Sequence, residues 1–491
     1  MSKKYFTYKS LADVEQASRS LGVDITFEEK LEAVYSPVRI GGRIIGNSLA
    51  IHPMEGCDGT LDGRPDKLTF RRWERFAQGG AKLIWGEATA VVPEGRANPR
   101  QLLLNRSTMP DFRKLLKATR MKHREAFGRD DDLLVGIQLT HSGRYSYPKP
   151  LISYYHPHVD FLTFSDKKRG IRINGDYPVL TDDYLERLED SYVDAIRIAS
   201  DVGFDFVDIK QCHTYLLNEL LGARTRPGKY GGSFENRTRF IRNVLAKSKE
   251  FVGDRLILAS RMNAYDGIPF AEDPVTKVGV PLPYEIPYDY GFGIDRMHPM
   301  KEDLTEVITF VKTLMENGLK LLNISLGSPY YNMHIGRPFD RPPIDGYHPP
   351  EHPLVGVERH FRITGEIQKA FPDLPVVGTG YSWLRKFIIN AAESNLRRKR
   401  VSIIGIGLGS IAYPNYVKDA LSRADVKSSM VCYGASFCTD LMRSKNNAMG
   451  QYPTGCVPRD EVYARIYKES IRKVNGSEAA ETEKEKEEKE N

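Results

Sequence analysis

Three side chains that bind or move protons follow a short apolar run near the middle of the chain. Lys210, His213 and Tyr215 come directly after Phe206–Ile209, a run with the length and β-branched content of a buried strand. Lys210 and His213 are three residues apart in a turn, so both can face one pocket. As donors they would polarise an acceptor oxygen, and the phenol of Tyr215 is a third group that can bind or move a proton. The pattern predicts a catalytic site where this strand ends.

Two of these residues also have plainer interpretations. Lys210 could form a structural ion pair with a carboxylate such as Asp266 or Glu55, because such pairs are common around buried amines. Tyr215 could simply pack, with its hydroxyl bonded to the backbone. The sequence leaves both alternatives open.

The elements that would position these residues alternate between strand and helix from Asn47 onward. Strands are predicted at Leu49–His52, Leu83–Trp85, Leu133–Leu139, Phe206–Ile209, Leu256–Arg261, Leu321–Ser325, Val376–Gly378 and Ser402–Gly405. Helices are predicted at Leu68–Gln78, Met109–Ala126, Asp182–Ser200, Asn236–Glu250, Asp303–Asn317, Gly356–Ala370 and Trp383–Glu393. This array predicts an α/β fold, a TIM (β/α)8 barrel whose chemistry lies at the carboxyl ends of the strands. No Gly-x-Gly-x-x-Gly motif opens a helix, which argues against a Rossmann dinucleotide site.

The barrel is expected to occupy most but not all of the chain. We expect an N-terminal leader over residues 1–36 and the barrel over residues 37–425, opened by a hairpin that turns on Gly41-Gly42. A cysteine-containing C-terminal extension would follow over residues 426–473. The charged tail over residues 474–491 is predicted to be disordered, because it is rich in charge and poor in apolar residues.

The residues after the fourth predicted strand resemble a known family. His213-Thr214-Tyr215 and Tyr230-Gly231-Gly232-Ser233-Phe234-Glu235-Asn236-Arg237 resemble the His-x-Tyr and Tyr-Gly-Gly-Ser-x-Glu-Asn-Arg motifs of the old yellow enzyme, or NADH:flavin oxidoreductase, family. Gln138-Leu139-Thr140-His141-Ser142-Gly143-Arg144 resembles a further motif of that family. The resemblance runs patchily over residues 38–456 and includes the barrel portion of the trimethylamine-dehydrogenase-like branch. It implies a TIM barrel that binds FMN and uses NAD(P)H as reductant.

The resemblance also implies which residues would hold the flavin ring. Pro53 and Met54 would lie along the ring, and the small side chain of Ala88 would let a backbone N–H approach its pyrimidine edge. The amide of Gln138 offers a donor and an acceptor together, as the flavin N3–H and its neighbouring carbonyl require. The guanidinium of Arg261 would stabilise negative charge on the reduced flavin.

The flavin phosphate would bind where the last two strands end. Gly378 and Gly380 follow the seventh predicted strand, and Gly407 and Gly409 follow the eighth, so all four can offer bare backbone N–H groups to an anion. The family usually has an arginine on the phosphate where this chain has Leu408. This is the sharpest departure from the flavin-binding pattern.

Two further departures concern the substrate side of the flavin. Glu55 stands where the family has Thr or Cys, and a carboxylate there would disfavour an anionic reduced flavin. Alternatively, Glu55 turns away and Cys57 or another group takes its place. Lys210 stands where the family usually has His or Tyr, so the motif does not define the substrate.

The cysteines of the extension resemble an incomplete cluster motif. Cys432, Cys438 and Cys456 match three ligands of the 4Fe-4S cluster in the trimethylamine-dehydrogenase-like branch, but Ala435 occupies the second ligand position. Because four thiolates normally hold such a cluster, we expect it to be absent, labile or completed by a ligand other than cysteine. The alternative is three free thiols in a packed extension.

Composition limits the partners. The chain has 491 residues, of which 41% are hydrophobic, and no apolar run approaches 20 residues, so no membrane span is expected. Basic and aromatic residues do not interleave in a nucleic-acid-binding motif. Five cysteines without disulfide spacing favour a reducing cytoplasm. We expect a small-molecule substrate, with monomer and homo-oligomer both open.

The sequence thus favours an FMN-dependent oxidoreductase in which NAD(P)H reduces the flavin and the flavin passes hydride to an activated alkene or related acceptor. Oxidation of an amine or N-methyl compound is the second hypothesis. A degenerate barrel that binds flavin or another ligand without turnover is the third, and Leu408, Ala435, Glu55 and Lys210 motivate it.

Overall fold

A closed barrel of parallel strands forms the body of the protein. The structure is a computed structural model, and it describes residues 5–147, 149–159, 173–422, 426–444 and 450–472. The predicted charged tail, residues 474–491, lies outside these residues, as does the predicted boundary between barrel and extension at 425. The prediction of a TIM barrel is confirmed.

The barrel strands occur in chain order around the barrel, each paired in parallel with the next, and the last pairs with the first. They are β3 (Leu49–Ile51), β4 (Leu83–Ala90), β5 (Leu134–Thr140), β6 (Phe206–Ile209), β7 (Ile257–Tyr265), β10 (Leu321–Leu326), β11 (Val376–Gly378) and β12 (Ile403–Ile406). Two antiparallel hairpins lie outside the barrel: β1 (Val38–Ile40) with β2 (Arg43–Ile45), and β8 (Phe270–Glu272) with β9 (Gly279–Pro281). Each predicted barrel strand is found within a few residues of its expected bounds.

Helices fill the connections between the strands. The α-helices are Leu11–Ser20, Lys67–Gln78, Met109–Phe127, Asp182–Val202, Leu216–Leu221, Phe234–Arg237, Arg239–Val252, Thr305–Glu316, Met333–Gly336, Pro353–Ala370, Ile388–Arg397, Leu408–Ala412, Tyr416–Leu421 and Phe437–Arg443. Short 3-10 helices cover Ala33–Tyr35, Pro93–Gly95, Gly143–Tyr145 and Tyr381–Phe387. None of the helices within the described residues is both long and apolar enough to cross a bilayer.

The helix before β6 shows how local sequence aims the chain at the site. The Thr181 side chain caps Asp182–Val202 by accepting a hydrogen bond from Tyr184 N at 3.2 Å. The helix ends at Gly203, whose φ of 101° is a left-handed conformation that glycine adopts without strain. The chain then reverses directly into β6, so that residues after Ile209 emerge at the carboxyl end of the barrel.

The barrel interior changes character along its axis. Apolar side chains such as Ala50, Trp85 and Phe206 form the inner cluster nearer the amino end. Ile40 and Ile45 of the β1–β2 hairpin belong to the same cluster, so the hairpin closes that end. Polar inward-facing side chains follow in the next layer, at the carboxyl ends of the strands. The inward-facing polar groups therefore lie at this mouth, where TIM barrels generally carry their sites.

Ion pairs attach the leader and the extension to the outside of the barrel. Arg398 and Arg400 both bind Asp24 of the leader. On the other side, Arg71 and Arg75 both bind Asp460 of the extension. Each of these arginines has a carboxylate partner, which contrasts with the cations of the mouth.

Candidate functional site

A ring of polar side chains faces inward at the carboxyl end of the barrel. His52 Nε2 lies 3.1 Å from Thr379 Oγ1, which itself donates to Ile324 O at 2.6 Å. His52 Nε2 must therefore carry a proton, and His52 Nδ1 accepts a hydrogen bond from Asn323 Nδ2 at 3.2 Å. Burial lowers the pKa of His52 well below its usual range, so the imidazole is neutral. The Oδ1 atom of Asn323 is buried without a hydrogen-bond partner among the described residues.

Asp208 fixes the orientation of the Gln138 amide, which is predicted to bind the flavin ring. Its Oδ2 accepts hydrogen bonds from Gln138 Nε2 at 2.5 Å and from Trp85 Nε1 at 2.7 Å, and its Oδ1 accepts one from Arg261 N at 2.6 Å. Burial nevertheless raises the pKa of Asp208 to about 6. Because one N–H of Gln138 is held by Asp208, the amide carbonyl and the second N–H are left for a ligand.

Arg261 is a buried cation without a partner. Its side chain is 6% exposed, its Nε has no hydrogen-bond partner, and its guanidinium makes no ion pair within the described residues. Burial lowers the pKa of Arg261, whereas the neighbouring Asp208 acts in the opposite direction. An unpaired buried guanidinium is costly unless a ligand supplies the acceptor. The donors present here therefore fit the predicted flavin, whose ring offers acceptor atoms and gains negative charge on reduction.

The three predicted catalytic residues emerge together after β6. The Lys210 ammonium nitrogen lies 3.6 Å from the centroid of the Tyr215 ring, a cation–π contact. The alternative of a structural ion pair is not observed, because Lys210 forms none with a described carboxylate and Asp266 binds other groups. Burial lowers the pKa of Lys210. His213 Nε2 lies 3.0 Å from Ser325 Oγ, which fixes the ring, and burial lowers the pKa of His213, so it is neutral.

A strained turn presents His213 to the mouth. His213 and Thr214 have φ values of 66° and 58°, which side chains other than glycine rarely adopt. Thr214 N donates to Asn218 Oδ1 at 2.7 Å, and Asn218 Nδ2 donates to Asp266 Oδ1 at 3.0 Å. Asn263 Nδ2 donates to the same carboxylate oxygen at 2.7 Å. This buried network stabilises the turn, and strain at such a position is typical of functional sites.

Aromatic rings cover the side of the mouth near Tyr215. Tyr330 stacks on Tyr145 with ring centroids 3.7 Å apart, and the hydroxyls of Tyr330 and Tyr215 lie 3.0 Å apart. Arg443 of the extension packs over the Tyr330 ring at 4.4 Å and donates to Pro329 O at 2.8 Å. The Tyr215 hydroxyl is bonded to another side chain that can relay a proton, and not to the backbone as the plainer interpretation required.

Glu55 turns toward the loop after β4. Its carboxylate accepts hydrogen bonds from Asn98 Nδ2 and, at 3.4 Å, from Gln101 Nε2. Burial raises the pKa of Glu55 to about 7, while the charge of Lys210 acts to lower it. Glu55 can therefore hold a proton near neutral pH. A neutral carboxyl would remove the repulsion predicted between this position and a reduced flavin.

A cavity of about 170 Å³ opens at the mouth. It is lined by Pro53, Met54, His213, Arg261, Gly380 and Gly407, together with His52, Thr379, Gly405 and Leu408. Sites for small ligands usually enclose roughly 300–1,000 Å³, so the groups around this cavity would have to move to admit a flavin nucleotide. Lys210, Tyr215, Ala88 and Gln138 are predicted site residues that are not part of this lining.

The predicted phosphate glycines fall into two groups. Gly380 and Gly407 line the cavity; a Cβ on Gly407 would project to 3.7 Å from Met54 Sδ, which means that a side chain there would enter the cavity. A Cβ on Gly378 would instead lie 3.0 Å from Val401, and one on Gly409 would lie 2.9 Å from Ile406. Packing thus accounts for the absence of a side chain at Gly378 and Gly409.

The extension offers three of the four thiols that a 4Fe-4S cluster normally requires. Cys432 and Cys438 are half-buried, Cys456 is buried, and all three are free thiols. Ala435 offers only its carbonyl, which accepts from Arg341 Nη1 at 2.8 Å. Within the described residues no group of His, Cys, Asp and Glu is arranged to hold a metal ion.

Several residues of the site were not found from the sequence. Asp208 had a visible signal, since a lone carboxylate in an apolar strand needs buried donors. Asn218, Asn263 and Tyr330 had none, because they act through contacts between distant parts of the chain.

Comparisons with known proteins find similarity to flavin oxidoreductases. A family model described as the NADH:flavin oxidoreductase / NADH oxidase family matches residues 33–276. An NADPH dehydrogenase of Geobacillus sp. (strain WCH70) is 27% identical over 304 residues, which are 60% of this chain and 73% of that protein. The dimethylamine dehydrogenase of Hyphomicrobium sp. (strain x) is 37% identical over 290 residues, which are 54% of this chain and 36% of that protein.

A solved structure has the same fold. The old yellow enzyme homologue from Zymomonas mobilis aligns with a TM-score of 0.56 at 20% identity, over 81% of this chain and 95% of that one. The chain therefore spans nearly the whole of this homologue but about a third of the dimethylamine dehydrogenase.

Proposed function

Because the chain belongs to the NADH:flavin oxidoreductase / NADH oxidase family, we propose that it binds FMN at the barrel mouth and uses NAD(P)H to reduce an activated alkene or related acceptor. Membership of this family was predicted from the sequence and is confirmed. When bound, FMN would accept hydride from NAD(P)H and deliver it to the acceptor. The rest of the chemistry belongs to the protein's own side chains.

The observation that carries the proposal is the set of unpaired cations at the mouth. Arg261 and Lys210 are buried, and neither forms an ion pair with a described residue. Arg261 would hold the flavin ring and offset the charge it gains on reduction. Lys210, with the neutral His213 beside it, would donate hydrogen bonds to an acceptor oxygen and draw charge away from the carbon that receives hydride.

Proton delivery is assigned to Tyr215. Its hydroxyl lies 3.0 Å from that of Tyr330, so a proton lost to the acceptor can be replaced along this pair. Burial raises the pKa of Tyr215 well above its usual range, which keeps the hydroxyl protonated. The Lys210 ammonium over its ring would stabilise the phenolate formed after transfer.

Oxidation of an amine is the second candidate, because dimethylamine dehydrogenase is the relative with 37% identity. The geometry favours it less. An amine substrate carries positive charge at neutral pH, and the face of Tyr215 that could receive it is already covered by the Lys210 ammonium. A protonated amine bound on this ring and the Lys210 ammonium would be two buried cations close together, and they would repel each other.

The remaining expectations concern setting and partners. All five cysteines are free thiols, which supports our proposal of a reducing cytoplasm. A small molecule is the proposed substrate, without a nucleic-acid or membrane partner, and the number of subunits stays open. We also propose the predicted division of the chain into a leader (1–36), a barrel (37–425), an extension (426–473) and a charged tail (474–491).

Half-reactions of the FMN-loaded protein test the function. Under anaerobic conditions, NADH or NADPH should bleach the flavin absorbance, and 2-cyclohexenone should restore it. Bleaching by dimethylamine, with no recovery on enone, would establish the amine dehydrogenase. Bound flavin that no reductant bleaches would establish a barrel that binds without turnover and would end the proposal.

A further inference from the structure

One end of the mouth cavity contains an arginine that no other part of the site uses. Arg337 follows the short helix Met333–Gly336 in the long loop after β10. It lines the mouth cavity, as do Gly380 and Ser382 after β11 and Gly407 after β12. Arg261, in the middle of β7, lines the same cavity, so two arginines from distant parts of the chain border it.

Half of the Arg337 guanidinium is held and half is free. Its Nη2 donates to Ser436 Oγ at 3.0 Å and to Thr439 Oγ1 at 3.2 Å, both in the extension. Its Nη1 is buried and has no hydrogen-bond partner among the described residues. An unsatisfied buried donor costs roughly 1–3 kcal/mol, more when it is charged, so a ligand acceptor is the natural complement.

No described carboxylate neutralises Arg337. The nearest acidic side chain of the extension, Asp440, binds Arg341 at 2.8 Å. Arg385, on the neighbouring 3-10 helix, is likewise paired, with Asp340 at 2.8 Å. Arg337 differs from both because the two groups that hold it are neutral hydroxyls. Its charge is therefore not neutralised by an ion pair among the described residues.

The other groups at this end also suit an anion. Ser382 Oγ accepts a hydrogen bond from Gly409 N at 3.1 Å, which leaves the hydroxyl proton free to donate into the cavity. Gly380 and Gly407 bring backbone to the cavity wall without side chains. Leu408, which borders the same space, brings no charge. One guanidinium, one hydroxyl and bare backbone together make a phosphate-binding set.

We infer that Arg337 binds the phosphate of FMN through its free Nη1, and so supplies from the loop after β10 the cation that position 408 lacks. The inference rests on the proposed flavin function. Ser436 and Thr439 hold one edge of the guanidinium and leave the other edge without a partner among the described residues. Through these two contacts, the extension takes part in cofactor binding.

Paired titrations with FMN and riboflavin test this inference, because riboflavin has the same ring without the phosphate. The full chain freed of flavin is titrated with each, and binding is followed by flavin fluorescence. Wild type should bind FMN more tightly than riboflavin. Arg337→Met should weaken FMN binding about 10- to 100-fold while riboflavin binding stays within about twofold, since a charge-assisted hydrogen bond is lost.

Two further variants keep the result interpretable. Arg337→Lys retains the positive charge but lacks a planar guanidinium with two hydrogen-bonding edges. Its affinity for FMN should lie between those of wild type and Arg337→Met. Arg341→Met removes a guanidinium of the same loop, which also binds the extension but does not line the cavity, and should leave the preference for FMN unchanged.

The outcomes separate the two proposals. If Arg337→Met weakens FMN and riboflavin equally, or neither, Arg337 does not bind phosphate. Equal affinity of wild type for FMN and riboflavin would also overturn the inference while leaving a flavin site in place. If wild type binds neither flavin, the proposed function itself is wrong and this inference goes with it.

Discussion

Two arginines, each 6% exposed, differ in whether a carboxylate neutralises them. Arg72, on the helix before β4, binds both Asp58 and Glu87. Arg261, in the middle of β7, forms no ion pair within the described residues. Burying a guanidinium costs several kcal/mol. Two ion pairs offset this cost for Arg72, whereas Arg261 has only the charge of the neighbouring Asp208, with which it forms no ion pair. The difference shows that the mouth is arranged for a ligand rather than for stability.

The largest effect should come from removing each arginine in turn from the flavin-free protein. Arg72→Met leaves the buried carboxylates of Asp58 and Glu87 without their cation, so the free energy of unfolding should fall by about 3–5 kcal/mol. Arg261→Met removes an uncompensated charge, so the free energy of unfolding should stay equal or rise. Urea denaturation of both variants measures this. Equal losses would mean that Arg261 has a structural partner and that the comparison fails.

The carboxyl of Glu55 should make stability depend on pH. Its pKa in the folded protein is about 7, above its ordinary value of 4.5, because burial penalises the charged form. Between these values the unfolded chain has lost the proton that the folded protein keeps, so stability is full below about pH 4.5 and falls as pH rises through 7. The total loss is up to about 3 kcal/mol.

Glu55→Gln isolates this effect, because a neutral amide does not titrate. Unfolding free energies of wild type and variant are measured in urea at pH 5 and pH 8. Wild type should lose more stability between the two values than the variant does. Parallel losses would show that Asp208 and Asp266, whose pKa values are each raised to about 6 by burial, account for the pH dependence instead.

At Tyr215 the group under test is a hydroxyl rather than a charge. Removing this hydroxyl should change a reaction rate rather than the stability of the fold. Tyr215→Phe should slow reoxidation of the reduced FMN protein by 2-cyclohexenone about 100-fold, because the proton donor is lost. Reduction by NAD(P)H should be spared. Stopped-flow absorbance measures both steps. Tyr145→Phe keeps the ring stacked on Tyr330 and serves as the control; equal slowing of both half-reactions in Tyr215→Phe would refute the assigned role.

Gln138 should give the smallest effect of the set. Its amide donates to Asp208. The interactions with FMN that a substitution of Gln138 would remove are therefore neutral hydrogen bonds to the flavin ring. Gln138→Ala should weaken FMN binding about 5- to 10-fold. Gln368→Ala, whose amide donates to Phe371 O and Leu374 O away from the mouth, should leave FMN affinity unchanged. Unchanged affinity in both variants would remove Gln138 from the cofactor site.

The sequence was most informative where structure depends on local patterns. Short apolar runs between amphipathic helices predicted each barrel strand, including Phe206–Ile209 and Val376–Gly378 at their observed bounds. Because β/α units place strand ends at one mouth, the location of Lys210, His213 and Tyr215 followed from the fold.

What the sequence could not supply depends on contacts between distant segments. The free edge of Arg337 is defined by Ser436 and Thr439, about a hundred residues later. The turn at His213 is held by Asn218, Asn263 and Asp266, which share no local motif with it. Likewise, only the packing around Gly378 and Gly409 shows that these glycines face neighbouring side chains rather than the cavity.

The most direct test of the central claim, that the unpaired guanidinium of Arg261 awaits a flavin, is the two-electron reduction potential of bound FMN. Spectroelectrochemistry of wild type and Arg261→Met provides it. A buried guanidinium that stabilises the reduced flavin by about 1.5–3 kcal/mol makes the potential of the variant lower by about 30–60 mV. Potentials that agree within about 10 mV, or a higher value in the variant, would contradict the account.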